Sequence, residues 1–171
     1  MFRKPPKSRP TLAWSSQSMQ AQSQTAVTGA GGGVLPAGAA FNGVSLSSLS
    51  FGMGVALRGD GTANGAFEST LVGTSATGVA SSIVVVGDPT SGSAQVGGPA
   101  TYSGLCSVDL GDGAPPLSNV PFTVTMAKLP DGKWDLTLTL GATRLPAAAV
   151  TAGSVTGIDL ISKEGVHHAQ P

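Results

Sequence analysis

Residues 120–140 read Val120-Pro121-Phe122-Thr123-Val124-Thr125-Met126-Ala127-Lys128-Leu129-Pro130-Asp131-Gly132-Lys133-Trp134-Asp135-Leu136-Thr137-Leu138-Thr139-Leu140. Val120, Phe122, Val124 and Met126 alternate with polar or small residues, and Trp134, Leu136, Leu138 and Leu140 alternate with Asp135, Thr137 and Thr139. Successive side chains of an extended chain point to opposite faces, so this period of two sorts an apolar face from a wet one. The Pro-Asp-Gly segment between the runs has turn chemistry. Together they predict an antiparallel hairpin packed on a core from one side, and therefore a β-protein.

Working outward, Phe51, Met53, Val55 and Leu57 share one face of a second alternating run, with Gly52, Gly54 and Ala56 on the other. That glycine face predicts the close approach of another backbone or sheet. Arg58-Gly59-Asp60-Gly61-Thr62-Ala63-Asn64-Gly65 reads as a turn and residues 66–72 as the returning strand. Ile83-Val84-Val85-Val86 is a continuous β-branched run, expected to be central or buried on both faces. Gly87-Asp88-Pro89-Thr90-Ser91-Gly92 reads as a turn cluster, followed by strands near 93–96 and 100–109 with a break at Gly97-Gly98-Pro99. Residues 111–116 form a loop, Ala147-Ala148-Ala149-Val150 has the makings of one helical turn, and residues 155–161 read as a last strand. Upstream, Val27 and Val34 flank Gly29, Gly31, Gly32 and Gly33 and read as short edge strands around a glycine turn. No Lys-Ser/Thr follows those glycines, so they do not form a phosphate-binding loop.

Composition agrees. Gly (25) and Pro (12) make up far more of the 171 residues than the average share of about 12%. Charged residues are 11%, against about 25% in ordinary domains. Both point to short strands joined by many turns, around a thin core rich in Val, Leu and Ala. The expected architecture is all-β: a single antiparallel β-sandwich or barrel of about eight or nine short strands with an irregular N-terminal arm. Residues 27–161 are the β-domain, residues 1–26 a polar, basic arm or the remnant of an export signal, and residues 162–171 a tail.

The net charge of zero is unevenly spread. Arg3, Lys4, Lys7 and Arg9 crowd the first nine residues. Residues 27–160 carry Arg58, Lys128, Lys133 and Arg144 against Asp60, Glu68, Asp88, Asp109, Asp112, Asp131, Asp135 and Asp159. A body with twice as many acids as bases argues against nucleic-acid binding through the folded part. The leader has a basic start but no apolar stretch after it, and no run approaches the ~20 apolar residues that span a membrane as a helix.

The order of certain motifs resembles the post-COAP domain, a small secreted bacterial β-domain of unknown function found alone or after cell-surface modules. The likeness rests on Val27-Thr28-Gly29 with its glycines, on Phe51-Gly52 through Asp60-Gly61-Thr62-Ala63-Asn64-Gly65-Ala66-Phe67, and on Tyr102-Ser103-Gly104-Leu105-Cys106-Ser107-Val108 leading to Pro121-Phe122-Thr123-Val124-Thr125. Asp135 stands where the family tends to have an acid before its penultimate strand. The resemblance implies a secreted β-domain; it implies no activity and no site residue.

Candidate sites are few. Asp60-x-Thr62-x-Asn64-Gly65 copies the opening of a calcium loop, in which oxygen ligands recur at every second residue, with Glu68 as a further carboxylate. The same residues suit a hairpin turn. Asp88, Asp109 and Asp112 would hold a hard cation if loop ends gathered them; Asp is also an ordinary turn former. The weak metal candidates are thus Asp60, Asn64, Asp88 and Asp112, and no cofactor is implied. Arg58-Gly59-Asp60 is the tripeptide read by integrins. Cys106 stands alone, which excludes an intramolecular disulfide and fits a small buried strand residue. His167 and His168 are the only histidines, so the body has no imidazole for general-base work. No Gly-x-Ser-x-Gly elbow is present.

The expectation is a non-catalytic structural or interaction protein, part of an extracellular, cell-surface or virion or filament assembly, with copies of itself or other protein subunits as partners through residues 1–26. The alternative is a soluble ligand-binding module for carbohydrate or calcium, and behind it a carboxylate-based hydrolase.

Overall fold

The computed structural model describes residues 24–95 and 98–160. Ten strands follow in order: β1 (Gln24–Val34), β2 (Ala40–Phe41), β3 (Val44–Arg58), β4 (Ala63–Ser75), β5 (Ala80–Ala94), β6 (Ala100–Asp109), β7 (Leu117–Lys128), β8 (Trp134–Leu140), β9 (Thr143–Arg144) and β10 (Ala148–Leu160). Every pairing is antiparallel, and β1 bonds to β10 on one side and to β3 on the other. The sheet therefore closes on itself in the order β1-β3-β4-β5-β6-β7-β8-β10, a sequential up-and-down barrel with β2 and β9 as short appendages. Closure removes most of the unpaired edges that an open sheet exposes, except along β10 beyond Ala149, which β8 does not reach.

Period-two patterning fills the barrel. In β3, Phe51, Met53, Val55 and Leu57 turn inward, and a register shift between Leu46 and Ser48 brings Leu46 into the same interior set as Leu49. Phe122, Val124 and Met126 of β7 face Leu136, Leu138 and Leu140 of β8, so the hairpin at residues 120–140 lies as its alternation requires. At the centre, Phe67 stacks on Phe122 with ring centroids 5.8 Å apart, and Tyr102 meets both edge-on at 6.0 and 6.4 Å. Eight strands enclose just enough space for side chains to occupy. The interior polar groups are partnered: Ser69 Oγ donates to the Ser50 carbonyl at 2.8 Å, and Tyr102 Oη to Met53 Sδ at 3.3 Å.

Several elements depart from the sequence expectation. β1 is one continuous strand, not two edge strands around a glycine turn. A Cβ at Gly31 would strike the Ala152 carbonyl, and one at Gly29 would lie 2.8 Å from that of Ser154, so these glycines admit the close approach of β10. Residues 87–92 do not turn; they continue β5, with Pro89 tolerated at a bulge between Pro89 and Ser91. Ile83 and Val85 are buried, but Val86 is 51% exposed, because a single-layered wall covers only its inner face. For the same reason Gly52 and Gly54 face open space rather than a second sheet. Ala148-Ala149-Val150 begins β10 instead of a helical turn, and β1 starts at Gln24, inside the expected arm. Residues 1–23 and 161–171 lie outside the described residues, and with them Trp14, most of the arm, His167 and His168.

Candidate functional site

The barrel has two unlike ends. One carries the turns at 76–79 and 110–116. The other carries the turns at 59–62, 95–99 and 129–133, together with Gln24 and Leu160, which pair with each other. Each candidate ligand can be placed on this frame.

Asp60 sits in the β3–β4 turn at the second end. Its Oδ1 accepts from the Thr62 backbone N–H at 2.9 Å and from Thr62 Oγ1 at 2.7 Å. Those two hydrogen bonds, the hydroxyl first, hold its carboxyl below the usual carboxylate range. Arg58 Nη1 also donates to Thr62 Oγ1, at 3.3 Å. The Arg-Gly-Asp tripeptide thus spends its side chains on its own turn. Asn64 lies in β4 opposite Ala56, exposed and beyond the turn.

Asp88 is not at a loop end: it stands in the wall on β5, opposite Leu105. Asp109 Oδ1 accepts from the Gly111 N–H and Asp112 Oδ1 from the Ala114 N–H, each at 2.9 Å, which is turn-forming work. Among the described residues no group of three His, Cys, Asp or Glu side chains comes together to hold a metal ion. Asp60, Asn64, Asp88 and Asp112 are therefore scattered, not gathered. Cys106 is buried in β6, and burial pushes its thiol up to about 11, so it stays protonated at neutral pH.

The best-formed depression opens at the end that carries Gln24 and Leu160. It has a volume of about 300 Å³. Met126 and Ala100 form a fully buried floor, Val27, Val155 and Trp134 the sides, and Lys128 part of the rim. It exists because of how the ring closes. β8 is short and meets β10 only at Leu136↔Ala148 and Asp135↔Ala149. From residue 150 onward β10 keeps β1 on one side, and among the described residues no strand pairs with its other edge. Thr151, Ala152, Gly153 and Ser154 are exposed in succession, without the alternation that marks β3 and β8.

Sequence reasoning placed Trp134 on a core face and missed the mouth. Its lining comes from β1, β5, β6, β7, β8 and β10 and the β5–β6 turn, so no local motif announces it. The outer wall also carries a pattern the sequence reading passed over. Thr101, Thr125 and Thr137 stand opposite one another across β6, β7 and β8, as do Ser103, Thr123 and Thr139. Their hydroxyls bond sideways, Thr101 to Thr125 at 3.1 Å and Ser91 to Ser103 at 3.0 Å. Among the described residues no helix is long and apolar enough to cross a membrane. Comparisons with protein-family models, with curated proteins and with solved structures each found no match.

Proposed function

We propose that the chain is a non-catalytic structural or interaction protein, assembling with copies of itself or with other protein subunits through residues 1–26 in an extracellular, cell-surface, virion or filament setting. The observation that carries this reading is the placement of Gln24 beside an open, apolar-floored mouth at the end of an otherwise filled barrel. A filled interior turns recognition outward, to the mouth and the wall. That wall is poor in charge, and it exposes Val72, Val86, Leu105 and Leu117, apolar side chains of the kind that mark contact surfaces when they cluster.

The test is the solution mass of the full chain by size-exclusion chromatography with light scattering, compared with a variant starting at Gln24. The cut falls at the start of β1, the first described strand. An assembly that dissolves on deletion supports the reading; a monomer unaffected by the deletion ends it. One observation favours the ligand-binding alternative, the presence of Trp134 in a mouth of about 300 Å³, at the small end of ligand sites. A carbohydrate that quenches or shifts Trp134 emission would support that alternative.

A further inference from the structure

We infer that the open edge of β10 and the mouth beside it receive residues 10–23 of a second copy of this chain, laid along residues 150–160 as an added strand. This rests on the assembly reading above and names its acceptor. A strand with one unpaired edge is a ready template for another chain, because its free N–H and C=O groups accept a neighbour through main-chain hydrogen bonds. Among the described residues this open edge is long, both faces of residues 151–154 are exposed, and an apolar mouth adjoins it at Val155.

The sequence of the donor fits that acceptor. Residues 10–23 carry no charge, while Arg3, Lys4, Lys7 and Arg9 lie before them. Leu12 and Trp14 are two residues apart, so an extended chain presents both on one face, where the mouth offers Val27, Met126 and Val155. The segment is also longer than the edge it would cover, at about 3.3 Å per residue in either strand.

Direction selects the second copy over the chain's own segment. β10 runs toward the end where Gln24 lies. A segment leading directly into its own Gln24 must arrive at that end, so beside β10 it runs parallel to it. Every pairing in the barrel is antiparallel, and parallel pairing is the weaker per residue. The segment of a neighbour is free to lie antiparallel.

The experiment uses the full chain and two full-length variants, Leu12→Asp and Trp14→Asp, at positions before the described residues. Light scattering over a concentration series is paired with hydrogen exchange read on residues 150–157. The expected result is that the unaltered chain assembles, that both variants disperse it, and that exchange at 150–157 speeds up about tenfold or more on dispersal. Assembly that survives both substitutions overturns the inference. So does assembly with 150–157 unprotected, which leaves the assembly reading standing. Protection that is independent of concentration assigns the edge to the chain's own segment and also overturns it. A chain monomeric at every concentration ends both.

Discussion

Gly87 faces the barrel interior beneath the ring of Phe122, and replacing it by alanine tests whether the aromatic centre is packed as tightly as described. A Cβ built there would lie 2.7 Å from Cε1 and Cζ of Phe122. That ring cannot easily yield. It is 2% exposed, stacked on Phe67 with planes 12° apart, and met edge-on by Tyr102. Overpacking of this kind costs about 1–3 kcal/mol. Alanine also narrows the unfolded ensemble, a gain of about 0.4–1 kcal/mol. The expected net loss is about 1–2 kcal/mol, a fall in Tm of about 2–8 °C for a chain of this size. Urea unfolding followed by circular dichroism should show a lower midpoint with an unchanged slope. Gly52→Ala is the control: its Cβ would meet nothing within 4 Å, so it should stabilise by about 0.4–1 kcal/mol. In a Phe122→Leu background the cost of Gly87→Ala should shrink by about 1 kcal/mol or more. A Gly87→Ala protein as stable as the parent, or a cost untouched by Phe122→Leu, would refute the packing argument.

Three further outcomes are expected. Tyr102 is the only tyrosine, and burial raises its pKa above the ordinary 10, so the stability it adds is complete below pH ~10 and lost above it; absorbance at 295 nm should therefore report tyrosinate only as the β-sheet signal disappears, and a smooth titration near pH 10 in the folded protein would contradict its burial. The Cys106 thiol, raised from 9.0 to about 11, contributes stability fully present below pH 9 and lost toward pH 11; a disulfide reagent at pH 8 should label it only after denaturant is added, so prompt labelling of the native protein would count against the fold. Millimolar calcium should leave Tm unchanged within about 1 °C, since Asp60, Asp88 and Asp112 lie apart; a clear rise would revive the cation reading.

What the sequence disclosed depended on whether information was local. The hairpin of β7 and β8 was legible because large apolar residues at every second position admit one reading. The same rule was hidden in β1 and β10, where Val27, Ala148 and Val155 are interrupted by inward glycines that carry no hydropathy contrast. Their identity as strands follows from how closely their backbones pack, a relation between residues more than a hundred positions apart. Asp88-Pro89 looked like a turn because those residues usually make one; a bulge let the strand absorb them. Of the site candidates, Asp60, Asp109 and Asp112 do serve turns and Asp88 does not, and their separation in space and the mouth beside Trp134 emerge only once the ring has closed.

Gln24 and Leu160 face each other across one rung of the ladder, so both described ends of the barrel leave from the same pole. Any polypeptide attached before or after is delivered there together, as through a single stalk. The barrel would hang from a longer chain as a pendant, insertable into a host loop without stretching it. Its far pole, with the Asp112 loop, would face outward, and the stalk would emerge beside the mouth.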